Sequence, residues 1–323
     1  MNKIRVSTPG KLMLFGEHSV VYNRQCIVAA VDQRFEVVVE KMKGEEIVVE
    51  APGVGLRYYR KSLKDIGGKR VPKGIRFVEA VVCKFFKTYG DGEGLKIETK
   101  NHFSSKYGFG SSAAVTVGLA KALHELYKIK VSDEKLFDFC YEVVLDVQGV
   151  GSGFDIAAAL YGGVLYFVTG GKRIQKLKVD NLPIVVGYTG IKADTPTLVR
   201  QVAELKRQHP IRVNRWFNEI SYLVEKAKKN LTGEKWLKLG ELMDENQEVL
   251  NKLGVSSVEL DKLIERAKKA GAFGAKLSGA GGGDNMIALV DEEKRKKVEK
   301  AIELGGGEVL RVKLGGEGVR IER

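Results

Sequence analysis

Three short glycine-rich segments limit what this chain can be: Lys106-Tyr-Gly-Phe-Gly-Ser-Ser-Ala-Ala114, Gln148-Gly-Val-Gly-Ser-Gly-Phe-Asp155 and Ser278-Gly-Ala-Gly-Gly-Gly-Asp284. Glycine gives up more backbone freedom on folding than any other residue. A cluster of them therefore marks a backbone that must turn left-handed or approach something closely. Thirty-eight glycines against six prolines is the skew in composition that matters, because many of those glycines fall in clusters beside serine and charged residues.

The first segment follows a strand pattern and opens a helix. Gly108 and Gly110 let the backbone come near a ligand, and Ser111 and Ser112 place hydroxyls beside the free N–H groups of a helix start, which is an anion site by geometry and dipole. Ser112 could also reach a magnesium ion carried by the same phosphates. An ordinary capped turn would share the Gly-x-Gly signature. Two other phosphate loops are excluded. The stretch Gly108-Phe-Gly-Ser-Ser-Ala113 formally fits a dinucleotide fingerprint, but the acidic strand end that should follow about 20 residues later falls at Lys121–Lys130, the end of a helix. A Walker loop needs Gly-Lys followed by a hydroxyl, and Gly10-Lys11-Leu12 and Gly171-Lys172-Arg173 lack it.

The third segment lies between two strands, and its four glycines in five positions exceed what a hairpin needs. It reads as backbone wrapping over a ligand. In the second segment, Asp155 opens an otherwise apolar helix, Phe154–Tyr161. A carboxylate there is most often a cap, but the flanking glycines and serine suggest one exposed in a crowded pocket. Lys11, in Pro9-Gly-Lys-Leu12, could lie near it and keep it ionised. An ionised Asp beside a Lys suits phosphoryl transfer: one orients the acceptor or takes its proton, and the other neutralises charge on the phosphate.

Strands are expected at Lys3–Ser7, Met13–Phe15, Cys26–Glu40, Glu46–Glu50 and Leu95–Thr99, with a helix over Gly74–Thr88. Helices follow at about Ser112–Tyr127 and Ser132–Val147. Thr195–Ala270 reads as four helices broken near His209-Pro210, Gly233 and Gly254. At 323 residues, against a prior of roughly 100–200 per domain, the chain predicts two domains, 1–180 and 181–323. Its three distant cysteines (Cys26, Cys83, Cys140) support neither a disulfide framework nor a zinc site. No stretch approaches the roughly 18 apolar residues of a membrane span, and the start has no signal-peptide core. The expectation is a cytoplasmic chain without membrane contact. The net charge of +13 invites nucleic acid as a partner. Its cations, however, are mixed with glutamate on helical stretches such as Asp291–Lys300, and its aromatics sit at apolar periodic positions, so no nucleic acid is expected. A positive field suits polyanionic small substrates instead.

Together the segments resemble the GHMP kinases. The resemblance rests on Pro9-Gly-Lys-Leu-Met-Leu-Phe-Gly-Glu-His-Ser-Val-Val-Tyr22, on Gly108-Phe-Gly-Ser-Ser-Ala-Ala114 and on Lys276-Leu-Ser-Gly-Ala-Gly-Gly-Gly-Asp284, in the family's order over essentially the whole chain. It implies an α+β fold of two domains, an N-terminal mixed α/β unit and a C-terminal helical plus ferredoxin-like unit, with the active site in the cleft between them. It implies ATP and Mg²⁺, with ATP held by Lys106, Gly108, Gly110, Ser111, Ser112 and Ala113, and with Ser112 also on the metal. Asp155 is implied as the catalytic carboxylate and Lys11 as its partner. His18, Ser19, Ser152, Gly153, Gly279, Ala280, Gly281, Gly282 and Lys192 would line the acceptor side. The expected partner is a small-molecule substrate; a homodimer is left open.

The motifs divide between two members of that family. Phe15-Gly-Glu-His-Ser-Val-Val-Tyr22 and Gly187-Tyr-Thr-Gly-Ile-Lys-Ala193 look like mevalonate kinases. Lys106–Ala114, Gln148–Ala158 and the ending Asp284 look like phosphomevalonate kinases. Mevalonate kinases often carry a metal-binding Glu where this chain has Val144, between Glu142 and Asp146. An acceptor that is already a phosphate also needs additional cations, for which Lys106, Lys192 and Arg200 are candidates. The expectation is therefore phosphoryl transfer to mevalonate 5-phosphate, with mevalonate itself as the alternative acceptor.

Overall fold

The computed structural model describes residues 2–322 apart from Lys69, Asp91, Phe103 and Asp180. It opens on a long antiparallel pair. Strands β1 (Lys3–Phe15) and β2 (Gln25–Met42) run from Lys3 opposite Glu40 to Phe15 opposite Ile27. The two short strands expected at Lys3–Ser7 and Met13–Phe15 are one, continuous across Pro9-Gly10-Lys11. A register shift between Pro9 and Lys11 makes this workable, since proline has no N–H to give a ladder. The shift turns the Lys11 N–H to the Phe109 carbonyl at 2.9 Å. Gly10 is required there, because a Cβ would stand 3.0 Å from both Phe109 Cβ and Val31 Cγ2.

The chain continues through β3 (Glu46–Ala51), β4 (Leu56–Ser62), α1 (Arg76–Tyr89), β5 (Gly94–Asn101), α2 (Ser111–Leu126), α3 (Asp133–Gln148), α4 (Phe154–Tyr161), β6 (Val164–Val168) and β7 (Arg173–Leu177). The C-terminal end of β2 pairs with β5, which leads to β3 and β4, and its N-terminal end pairs with β6, which carries β7. Strands β4 and β7 were not expected. Both are edge strands whose open side keeps charged residues, so their apolar alternation is weak. Helix α2 is buried along almost its whole length, which is why its sequence is apolar on every side. Gly118 lets it lie close to the sheet, where a Cβ would meet Val37 Cγ2 at 3.1 Å.

A second sheet holds β8 (Ile184–Tyr188), β9 (Gly274–Ser278), β10 (Asn285–Leu289) and β11 (Glu308–Leu310) in the antiparallel order β11-β8-β10-β9. With α9 (Glu292–Leu304) between β10 and β11, this is a ferredoxin-like unit. Its first crossover is enlarged to α5 (Thr195–Gln208), α6 (Pro210–Thr232), α7 (Trp236–Lys252) and α8 (Val258–Lys269). These four helices match the four expected segments and breaks. Helix α6 buries Val213, Phe217, Ile220, Val224, Ala227 and Leu231 at helical spacing. It also reaches back to the first unit, where Gln25 Nε2 donates to the Ser221 carbonyl at 3.0 Å and Tyr166 Oη to Glu225 at 2.6 Å.

Two sheets and their helices give the expected α+β arrangement. The expected boundary residue, Asp180, lies outside the described residues. One segment departs from the 181–323 assignment: β12 (Arg320–Glu322) crosses back and pairs with β1 at the rim of the first sheet, Val6 opposite Ile321. Ser7 hydrogen-bonds Glu322, and the Arg34 guanidinium holds the Ser7 and Gly318 carbonyls at 2.9 and 2.8 Å. A three-residue strand among glycines offers no periodicity to announce such a return.

Candidate active site

Two helix starts face the register shift in β1. Helix α2 begins after Gly108 and Gly110, both left-handed at φ 65° and 80°. The hydroxyls of Ser111 and Ser112 have no hydrogen-bond partner among the described residues, and the first N–H groups of the helix lie beside them. Lys11 lies against this turn: its Nζ donates to the Gly108 carbonyl at 3.2 Å, and a Cβ on Gly110 would stand 3.1 Å from its Cε. The same ammonium is 5.5 Å from the ring centroid of Phe154, at the start of α4. Asp155 occupies the first turn of that helix, half-buried, with its Oδ1 accepting the Ile156 N–H at 3.1 Å. Burial lowers the pKa of Lys11, and the opposing charge of Asp155, then that of Asp284, holds it up. Lys11 and Asp155 form no ion pair among the described residues; the charge of Asp155 reaches Lys11 at longer range. Gly153 precedes it at φ 89°, packed on Phe137 and Tyr141, and the Ser152 carbonyl accepts the Gly170 N–H at 2.9 Å.

The residues expected on the acceptor side gather around the turn after β1 and the glycine run. His18, strained at φ 58°, is buried, and its Nε2–H donates to the Ala280 carbonyl at 2.9 Å. Burial lowers its pKa, so the ring is neutral. Ser19 is buried and spends its hydroxyl on the Gly16 carbonyl at 3.2 Å. Gly279, Gly281, Gly282 and Gly283 all have positive φ. At Gly281 a Cβ would run into the Val255 carbonyl oxygen, and at Gly282 it would stand 2.9 Å from Leu198 Cδ1. The glycine run is thus a backbone pressed between α5 and the Val255 turn.

Beneath it lies a pair that the sequence reading quoted but gave no role. Glu17 and Lys276 form an ion pair with both side chains 0% exposed. The Lys276 ammonium also donates to the Leu277 carbonyl at 2.6 Å, and the Gly279 N–H supports the carboxylate. Burial raises the pKa of Glu17 and lowers that of Lys276, and each partner opposes the shift of the other. A lysine in the apolar strand Gly-Ala-Lys-Leu-Ser was the available signal. Ser278 Oγ donates to the Met13 carbonyl at 2.8 Å, so three side chains tie β1 and its following turn to β9 and the glycine run.

Asp284 was likewise quoted without a role. It is left-handed at φ 52°, its N–H donates to the Ile191 carbonyl at 2.7 Å, and its carbonyl accepts the Thr189 N–H at 2.9 Å. Its Oδ1 accepts the Ala193 N–H at 3.1 Å and pairs with Lys192 at 3.4 Å. Its Oδ2 faces the phosphate loop, 2.5 Å from where a Cβ on Gly108 would be.

The cations proposed for a second phosphate are engaged elsewhere. Lys106 is exposed and turns from the phosphate loop to Glu308 at 3.4 Å, beside the rings of Tyr107 and Tyr188. Lys192 is held by Asp284, and Arg200 donates to Thr197 Oγ1 at 2.8 Å on α5. Val144 is buried, Glu142 pairs with Lys84, and Asp146 is exposed. Among the described residues no group of three His, Cys, Asp or Glu could hold a metal. The free Ser112 hydroxyl and the nearby carboxylates suit Mg²⁺ that arrives on nucleotide phosphates, because that ion takes only one or two protein oxygens. No helix among the described residues is long and apolar enough to cross a membrane.

Comparison with known proteins matches two family models, the GHMP kinases N terminal domain over residues 76–163 and the GHMP kinases C terminal over 223–306. A mevalonate kinase of Thermococcus sibiricus is 34% identical, covering 99% of this chain and 98% of the relative. The crystal structure of the Methanococcus jannaschii mevalonate kinase superposes with a TM-score of 0.81 at 27% identity, over 96% of this chain and 98% of that one. Streptococcus pneumoniae phosphomevalonate kinase in complex with phosphomevalonate and AMPPNP gives 0.82 at 20% identity, over 96% and 99%, a likeness of fold alone.

Proposed function

Since this chain belongs to the GHMP kinase family and is an ATP-using phosphotransferase of the mevalonate-pathway type, we propose that it is a mevalonate kinase, transferring the γ-phosphoryl group of ATP to the 5-hydroxyl of mevalonate. This replaces the expectation of mevalonate 5-phosphate as acceptor. That expectation leaned on extra cations, and Lys106 and Lys192 are already neutralised by Glu308 and Asp284. A phosphate brought into this wall would meet few free positive charges. The observation that carries the reading is this pairing, and full-length relatives at 34–35% identity named mevalonate kinase agree with it.

In this reading Gly108, Gly110, Ser111, Ser112 and Ala113 hold the ATP phosphates on the N-terminus of α2. Lys106 lies outside that cradle, on Glu308. The Ser112 hydroxyl would be one ligand of Mg²⁺, which would supply neutralisation of the phosphate charge. Lys11 stands between the phosphate loop and Asp155, so its ammonium neutralises charge on the transferring group. Asp155 orients the acceptor hydroxyl and takes its proton as the new P–O bond forms and the bond from the γ-phosphorus to the ADP oxygen breaks, releasing ADP. His18, Ser19, Ser152, Gly153 and the run Gly279–Gly282 shape the acceptor wall and exclude water. The division of the chain near residue 180 belongs to the same proposal, with β12 assigned to the first unit.

The test is a coupled ADP-release assay with Mg²⁺ on mevalonate and mevalonate 5-phosphate side by side. Turnover on mevalonate alone is expected. Turnover on the phosphorylated acceptor alone would overturn the reading.

A further inference from the structure

Mg²⁺ on a nucleotide is usually held by one or two protein oxygens besides the phosphates, carboxylates most often, and Val144, expected to stand where such a carboxylate could be, is buried and apolar. The acidic groups whose charge reaches Lys11 are Asp155, Asp284 and Glu17. Glu17 is consumed by Lys276 and shut away from solvent. Asp155 is taken by the acceptor. Asp284 remains, and its geometry is particular. Its backbone is stitched to Thr189 and Ile191, and its Oδ1 is fixed by the Ala193 N–H and Lys192. Among the described residues Oδ2 has no hydrogen-bond partner, and the side chain packs directly against Gly108, the residue whose carbonyl also receives the Lys11 ammonium. With Lys192 on Oδ1 and the charge of Lys11 within reach, the carboxylate keeps its second oxygen beside the phosphate cradle, where a cation carried on the phosphates would meet it.

We propose that Asp284 is a protein ligand of the ATP-bound magnesium ion, through Oδ2, reaching from the glycine run to the metal opposite Ser112. The proposal rests on the reading of Gly108–Ser112 as the phosphate loop. It also gives Asp284 a reason to hold a left-handed backbone that glycine would adopt more easily. Lys192 then acts through the carboxylate as its fixed counter-ion and orienting partner, as outer partners commonly do for metal ligands.

The experiment uses Mn²⁺ as the probe. Electron paramagnetic resonance measures free Mn²⁺ during titration of the full chain with ATP, and isothermal titration measures ATP binding in EDTA. In Asp284→Asn, which keeps an acceptor for the Ala193 N–H and tolerates the left-handed backbone, Mn·ATP should bind at least roughly tenfold more weakly. Metal-free ATP should bind equally well or more tightly, because a repelling charge is gone. Lys192→Gln removes the orienting partner but leaves the ligand in place, so it should weaken Mn·ATP by no more than about tenfold, the low end of what losing an outer partner costs, and by less than Asp284→Asn. Unchanged Mn·ATP affinity in Asp284→Asn, or an equal loss with and without metal, would overturn the proposal. Failure of the wild-type chain to bind ATP in either form would overturn the phosphate-loop reading and this proposal with it.

Discussion

Removing the Lys276 ammonium tests how the acceptor wall is held. Lys276→Met leaves a side chain of similar length in the strand and strips Glu17 of its counter-ion in a site where both side chains are 0% exposed. Breaking a buried pair from one side typically costs about 3–5 kcal/mol, because a charge is left without compensation. Here Glu17 Oε2 already lacks a hydrogen-bond partner and Oε1 would lose its only side-chain donor, so the upper half of that range applies. At roughly 2 °C per kcal/mol for a chain this size, the melting temperature should fall by about 8–10 °C at pH 7.5. Burial already raises the Glu17 pKa, and without the lysine it rises further. A folded pKa above the unfolded one, about 4.3, contributes stability that is complete below that value and is lost as pH rises through the folded pKa. The penalty of Lys276→Met should therefore shrink as the pH is lowered from 7.5 toward 5. The double variant Glu17→Met/Lys276→Met should return to within about 2 kcal/mol of wild type, since two well-packed apolar chains replace such pairs without large loss. Thermal melts of wild type, the single and the double variant at both pH values decide it. A single variant within about 1 kcal/mol of wild type, or a double variant less stable than the single, would refute the argument.

Three further outcomes follow from the same geometry. Asp155→Asn should leave ATP binding within about threefold of wild type while turnover falls by roughly two orders of magnitude or more; kcat from the coupled assay, read beside ATP affinity by calorimetry, checks it. Gly281→Ala meets both a left-handed backbone and the Val255 carbonyl and should destabilise by on the order of 3 kcal/mol, whereas Gly279→Ala, at φ 104° with nothing within 4 Å, should cost only about 1. Chemical denaturation of the two variants compares them directly. Burial depresses the His18 pKa, so its contribution is present above the ordinary value of about 6.5 and is lost as pH falls; melting temperatures from pH 7.5 to 5 should drop less in His18→Asn than in wild type.

Much of this site was legible because its chemistry is local. The two helix starts at Ser111 and Phe154 and the run Gly279–Gly282 each sit within one short segment, and glycine clustering marks all three. Lys11 could be placed near Asp155 through the resemblance of Pro9-Gly-Lys-Leu12 to the family motif, and the register shift at Pro9–Lys11 brings it to the Gly108 turn. What escaped the sequence is relational. Lys106 and Lys192 look like free cations until their partners, Glu308 and Asp284, arrive from 202 residues away in one case and across the glycine run in the other. The expectation of a phosphorylated acceptor leaned on that point, and the full-length relatives fit the alternative acceptor better. The Glu17–Lys276 pair spans 259 residues, and no period or spacing links its halves. Strands β4 and β7 escaped because edges tolerate polar residues on both faces.

The return of β12 to the rim of β1 has a consequence for how the protein is made. Synthesis proceeds from the N-terminus at about 5–20 residues per second, so β1 emerges early while Arg320–Glu322 is translated near the end of the described chain. Through that interval the outer edge of β1 offers bare N–H and C=O groups, a template for pairing with another nascent chain. The first sheet gains β12 only after the strands of the second sheet have been synthesised. Ribosome-bound intermediates carrying residues 1–310 should accordingly be the aggregation-prone species, and the final short strand is what retires the hazard.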